Sequence, residues 1–155
     1  MKYVFDTGPF VSLFANFYPS TFVTLWQNFD ALIAEGEIVS TREAFREIED
    51  QDDELRQWAK DHKAVFTTPG AEEGAFVARI YGVAHFQANI EQRKLIQGGK
   101  NADPFVIAKA AVSGASVVTM EKFKPHAAKI PNICGHFDVP CLSLEAFMQQ
   151  EGWQF

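Results

Sequence analysis

Cysteine is scarce: Cys134 and Cys141 are the only two in 155 residues. Their spacing matches no metal-ligand pattern, which leaves no basis for a disulfide-built scaffold and points to a reduced pair in a cytoplasmic protein. His62, His85, His126 and His136 are scattered, and with the cysteines they complete no standard zinc set. Long apolar runs are missing as well. The uncharged run from Pro9 to Phe29, part of the longest in the chain, is broken by Asn16, Pro19, Ser20, Thr21, Thr24, Gln27 and Asn28. Nothing approaches the roughly 20 apolar residues of a membrane span. The N-terminus reads as a strand with one lysine, and no signal peptide is expected. Positive charge is not in excess: the net charge of −6 argues against nucleic-acid binding by the field of the whole molecule. There is no internal repeat, low-complexity tract or linker, so a single domain over 1–155 is expected.

What is present is material for a core. Apolar residues make up 47% of the chain and include 15 phenylalanines, a composition that excludes disorder. Charge is unevenly distributed. Glu35 to Asp61 carries ten acids against four bases, whereas Glu91 to Lys129 carries seven bases against three acids. The basic stretch suits phosphate contacts, and a solvated mixed surface explains it equally well.

Short apolar strands alternate with helical periodicity. Residues 2–5 form a first strand that ends in Asp6, with Thr7, Gly8 and Pro9 breaking it. Phe10, Leu13, Phe14 and Phe17 lie at helical spacing. Phe22, Leu25, Trp26, Phe29, Leu32 and Ile33 form a second stripe, with Ser20 or Thr21 as its cap and Gly36 at its end. Ile38 and Val39 are a second strand. Ser40 and Glu43 form a capping box opening a helix over about 41–50. Helical stretches are expected over 53–61, 71–83 and 86–96, with a brief extended segment at Val65–Phe66 and a loop at Gly98–Gly99. Asp103 and Pro104 open a helix that is apolar on most sides. Val117–Thr119 and Val139–Leu142 are strands, and Leu144, Phe147 and Met148 mark a closing helix. This alternation predicts an α/β fold, a three-layer sandwich around a short parallel sheet.

In open parallel sheets, function gathers at the carboxyl ends of the strands. Asp6 ends the first strand, and Glu121 lies just beyond Thr119. Asp103 begins the helix leading into that strand, and Glu47 lies in the helix after the second strand. Four carboxylates at one rim repel one another, and a divalent cation resolves the conflict; oxygen ligands suit Mg²⁺ or Mn²⁺. Such a site performs phosphoryl chemistry. Each acid also has a plain structural reading: Asp103 as a helix cap, Glu43 as the partner of Ser40, Glu47 as a solvated helix charge, Glu121 as a turn residue. Asp6 is the hardest to explain structurally, since it leaves a charge at the edge of a core. A haloacid-dehalogenase-type phosphatase needs a second Asp where Gly8 stands. A receiver domain needs an acidic pair that is not there. The "GGK" at 98–100 lacks the remainder of a phosphate loop.

With these residues in place, the chain resembles a PIN domain over nearly its whole length. "YVFDTGPF" resembles the opening strand with the first acid, Asp6, and "IVSTREAFREIE" the element carrying the second, Glu47 rather than Glu43. "ADPFVIAKA" supplies Asp103, and "VVTMEKF" places Glu121 where the fourth acid usually sits. "ADPFVIAKA…VVTMEKF…KIPNICGHFDV" is similar to a bacterial PIN-like group with "IPN-x-C". Two departures stand out: the fourth acid is Glu instead of Asp, and the stretch from Trp58 to Lys100 follows no motif.

The resemblance implies a metal-dependent endoribonuclease in which Asp6, Glu47, Asp103 and Glu121 hold Mg²⁺ or Mn²⁺. In-line attack of water on the RNA phosphodiester would leave a 5′-phosphate and a 3′-hydroxyl. Thr7 and Thr119 would orient the carboxylates. Lys100, Lys109, Lys122 and Lys124 are candidates for backbone phosphate contacts. Many bacterial relatives are toxins restrained by a protein antitoxin, so an antitoxin partner is implied. The aromatic residues Phe10, Phe14, Phe17, Phe22, Trp26 and Phe29 read as core, with a homodimer face or antitoxin groove as the other use. The alternative to an enzyme is a catalytically inactive PIN-fold module that binds RNA or protein.

Overall fold

In the computed structural model, which describes residues 1–50, 53–90 and 101–155, the triplet Tyr3, Val4 and Phe5 is fully buried and forms β1 (Tyr3–Phe5). The other strands are as short: β2 (Ile38–Thr41), β3 (Phe66–Thr67), β4 (Ser116–Val118) and β5 (Cys141–Leu142). They form one sheet in the order β3-β2-β1-β4-β5, with every pair parallel. A strand covered on both faces has no solvent side, so its residues are apolar in succession rather than alternately. In register, Val4 faces Val39 on one side and Val117 on the other, and Phe5 faces Val118. The chain winds outward from β1 through β2 and β3, then returns to the far side of β1 with β4 and β5. The carboxyl ends of β1 and β4 flank this reversal, where such sheets open a crevice.

Helices cover the sheet: α1 (Thr7–Asn16), α2 (Val23–Ala34), α3 (Arg42–Ile48), α4 (Asp53–Asp61), α5 (Ala71–Tyr81), α6 (Asp103–Ser113), α7 (Ile130–His136) and α8 (Leu144–Gln150), with residues 87–90 also helical. The expected α/β sandwich with a short parallel sheet is the fold observed. No helix among the described residues is long and apolar enough to cross a membrane. The predicted helix over 86–96 and the loop at Gly98–Gly99 lie largely outside the described residues.

Aromatic side chains join the layers. The Phe5 ring lies 5.2 Å from Phe10 and 5.1 Å from Phe147, and Phe10 lies 5.5 Å from Trp58 and 5.6 Å from Phe66. Phe10, Trp26 and Phe29 are buried, and Phe14, Phe17 and Phe22 are half-buried against the same core. Ring pairs of this kind add about 0.5–1.5 kcal/mol each beyond the area they bury. The aromatic stripes are therefore core in this chain. Cys134 and Cys141 are free thiols.

Three local expectations are corrected. First, α1 starts at Thr7, so Gly8 and Pro9 do not merely end the strand. Pro9 lies in the first turn, where its missing N–H has no intrahelical acceptor to lose. Second, Phe22, not Ser20 or Thr21, precedes α2 as its N-cap. Third, Ser40 and Glu43 form no capping box. Ser40 is a buried β2 residue whose hydroxyl donates to the Phe5 carbonyl at 2.7 Å. Thr41 caps α3 by accepting from the Ala44 N–H at 3.3 Å. Glu43 accepts from the Arg42 guanidinium at 2.7 Å and 3.1 Å.

Candidate metal centre

Asp6 follows the buried β1 directly and is the N-cap residue of α1, so its carboxylate stands at the rim of the sheet yet is nearly inaccessible. Its Oδ2 accepts from the Thr119 hydroxyl at 3.0 Å, and the same Thr119 oxygen accepts from the Glu121 N–H at 3.1 Å. Thr119 thus couples the ends of β1 and β4, which the parallel register already places side by side. The Asp6 N–H extends the ladder by donating to Val118 at 2.9 Å.

Asp103 is 1% exposed and is the first residue of α6; Ala102, one position earlier, is the N-cap. The sequence expectation of Asp103 as the cap is therefore off by one residue. Its backbone N–H donates to Asn101 Oδ1 at 3.1 Å, while its own Oδ2 accepts from Asn89 Nδ2 at 2.9 Å. Asn89 is buried too. It also donates to the Ala128 carbonyl at 3.0 Å and accepts from Asn101 Nδ2 at 2.8 Å. One amide thereby ties the 87–90 helix, the start of α6 and the approach to α7 to a single carboxylate. Asn89→Ala strands these partners, so a loss of about 1–3 kcal/mol is expected. In thermal denaturation this is a Tm drop of about 3–10 °C for a chain of this length; an unchanged Tm would remove Asn89 from the support of the site.

One carboxylate oxygen each from Asp6, Asp103 and Glu121 lie within 4.8 Å of one another. Glu47 stands beside this trio rather than in it. Its Oε1 accepts from the Thr7 hydroxyl at 2.7 Å and its Oε2 from the Ala102 N–H at 3.0 Å, so it joins the starts of α1 and α6. The expected set of four carboxylates is a group of three with the fourth acid adjoining it.

The electrostatics match this crowding. Burial pushes the Asp6 carboxyl well above the usual carboxylate range, the charges of Asp103 and Glu121 push it further, and Glu47 adds to the effect; the Thr7 N–H opposes them. Tyr81, at the end of α5, has its hydroxyl pushed up to about 12 by burial and then by Asp103, with a hydrogen bond to Asn101 acting the other way. Two or more acids facing one another in a dry rim bind a proton or a cation, and three oxygen donors at this spacing suit a hard divalent cation.

The four lysines expected at phosphates fare differently. Lys122 and Lys124 are exposed on the segment that follows Glu121. Lys100 lies outside the described residues. Lys109 is a correction: it is 5% exposed and its Nζ lies 3.7 Å from Glu73, so it fills the packing between α5 and α6 and offers no surface charge. Its helix is apolar on most sides, and a cation there has to find a buried partner. Sequence reasoning missed Asn89, Asn101 and Tyr81. Only Asn101, two residues before Asp103, lay near a motif. A cavity of about 500 Å³ walled by Phe14, Trp26 and Trp58, with Asp30, Glu54 and Asp61 among its lining, contains none of the expected site residues.

The structure of VapBC2 from Rickettsia felis bound to a DNA fragment from their promoter contains a chain of similar fold. The TM-score is 0.51 and the identity 14%, and the match covers 92% of this chain and 98% of that one. None of the curated proteins is similar in sequence. Residues 3–155 match the family described as "Domain of unknown function (DUF4411)", and the chain belongs to that family.

Proposed function

We propose that this protein is a metal-dependent endoribonuclease with a PIN-like fold, acting on RNA phosphodiesters and restrained by a protein partner of the antitoxin kind. One observation carries the reading: Asp6, Asp103 and Glu121 converge at the carboxyl ends of β1 and β4. The charged groups that raise the Asp6 carboxyl are all acids, Asp103, Glu121 and Glu47. All-oxygen ligation favours Mg²⁺ or Mn²⁺ over softer ions. When bound, such an ion activates water and offsets charge on a phosphoryl group.

The chain's own residues set up that chemistry. Thr119 fixes Asp6, and Asn89 fixes Asp103. Thr7 and the Ala102 N–H hold Glu47, whose charge acts on Asp6, as the fourth acid of the site. Exposed Lys122 and Lys124 meet backbone phosphates and carry no sequence preference. The fold likeness to a chain of the VapBC2 structure agrees with a protein that works alongside a second chain. A homodimer is the other assembly to test, by light scattering over a concentration series.

Cleavage of labelled single-stranded RNA and DNA in Mg²⁺, Mn²⁺ or EDTA tests the reading. Cleavage of RNA that requires the metal and stops in EDTA is the expected result. A protein that binds metal and cleaves only DNA would reassign the substrate. One that binds RNA or protein without cutting either strand would leave the non-catalytic binding module.

A further inference from the structure

The chain from Thr119 to Lys129 links β4 to α7 without regular secondary structure, yet its backbone is held at several points. The Glu121 N–H donates to Thr119 Oγ1 at 3.1 Å. Asn132 grips Lys124 from both sides, accepting from its N–H at 3.4 Å and donating to its carbonyl at 2.7 Å. The Ala127 N–H returns to the Lys124 carbonyl at 3.0 Å, and Ala128 is held by Asn89 at 3.0 Å. On this fixed segment two large apolar side chains face solvent: Phe123 is 67% exposed and Met120 is 46% exposed. Met120 leans on the start of α1, where a Cβ at Gly8 would lie 3.0 Å from its Cγ.

A single exposed apolar residue is unremarkable on a protein surface. This pair differs in its setting. Phe123 lies between exposed Lys122 and Lys124 and two residues after Glu121, so its Cα is within about 8 Å of the Cα of a trio member. An aromatic face beside cationic side chains, held at fixed distance from a phosphate-processing centre, is what a single strand requires: bases stack on the ring while ammonium groups follow the backbone. Paired bases in a duplex present no free face to such a ring.

We propose that the Met120–Lys124 segment is the strand-binding platform of this site, with Phe123 stacking on an unpaired base next to the phosphate at the carboxylates. The assignment rests on the ribonuclease reading and deepens it: the substrate is single-stranded RNA, and Phe123 is a binding residue separate from the metal ligands.

The test is binding of a short mixed-sequence fluorescein-labelled RNA, its DNA counterpart and the RNA duplex, by anisotropy, in EDTA and in Ca²⁺. Wild type, Phe123→Ala, Phe123→Leu and Phe123→Trp are compared, with cleavage in Mn²⁺ measured alongside. At 67% exposure the ring contributes little to the core, so all variants should retain the wild-type Tm. Phe123→Ala and Phe123→Leu are expected to bind single-stranded RNA about 5- to 100-fold more weakly, the range that stacking of one base spans. Their KM should rise more than their kcat falls. Phe123→Trp should keep affinity, and its added indole emission should be quenched by the single strand and not by the duplex. Equal binding by wild type and Phe123→Ala, or equal binding of duplex and single strand, overturns the platform while metal-dependent cleavage leaves the nuclease reading standing. A wild type that neither binds nor cleaves RNA overturns both.

Discussion

Asp103→Asn is expected to lower metal-dependent RNA cleavage by at least about 100-fold while leaving the fold intact. Residues that only support metal ligands cost about 10- to 100-fold when removed, so a member of the trio itself should cost more. The substitution is informative because Asn keeps the shape and an oxygen acceptor for the Asn89 amide, which now donates to Asp103 at 2.9 Å. What it removes is the charge. Two readouts separate this from a packing defect. The Tm in EDTA should hold or rise, since like charges in the rim become fewer. The Tyr81 hydroxyl, raised to about 12 in part by Asp103, should titrate lower. Equal cleavage by Asp103→Asn and wild type would place any activity outside this site.

Asp6→Asn is expected to stabilise the metal-free protein and to abolish stabilisation by metal. The sign follows from proton linkage. Burial, Asp103 and Glu121 raise the Asp6 carboxyl above its ordinary 3.8, so the native state keeps a proton that the unfolded chain releases. Stability from this group is fully present below the ordinary carboxylate range and is lost as pH rises through the raised native value. Chelated wild type should therefore lose Tm as pH rises toward neutrality and above. Asp6→Asn, neutral throughout, should lack that component of the slope and melt about 3–6 °C higher near pH 7.5, the equivalent of roughly 1–2 kcal/mol for a chain of this size. Added Mn²⁺ should raise the Tm of wild type, because an ion that binds only the native state stabilises it by mass action. It should not raise the Tm of the variant. Melting curves across pH with EDTA and with Mn²⁺ check both statements. A chelated wild type with no pH slope, or an Asp6→Asn protein that melts lower, would mean that the rim does not carry the strain described.

Much of the fold was legible in the sequence because its signals are local. "YVF" followed by Asp6 could only be a covered strand ending in a charge, and β1 is that strand. The helical stripe ending at Gly36 is α2, and "DELRQWAKD" is α4 from Asp53 to Asp61. The resemblance favours Glu47 over Glu43, and the two have different surroundings: Glu47 touches the starts of α1 and α6, whereas Glu43 takes the Arg42 guanidinium. The failures share a cause. Ser40 matches a capping box in every local respect, but its hydroxyl finds the Phe5 carbonyl across the sheet. Lys109 counts as a positive charge in any sequence tally, but Glu73 of another helix buries it. Asn89 carries no motif, and its partners Asn101, Asp103 and Ala128 come from two other segments of the chain.

The sequence by itself determined which residues form the short covered strands, their alternation with helices, and the placing of Asp6 and Glu121 at strand ends. These follow from periodicity, burial of apolar side chains and the few residues able to start or stop an element. Only the tertiary structure decided that Asp6, Asp103 and Glu121 meet while Glu47 adjoins them, that Asn89 holds Asp103, and that Phe123 stands exposed beside the group. Those outcomes depend on the reversal of strand order at β1, which sets β4 next to it in parallel register and brings together side chains about a hundred positions apart. Distance in space decides how strongly carboxylates repel or share a cation, and no local pattern carries that distance.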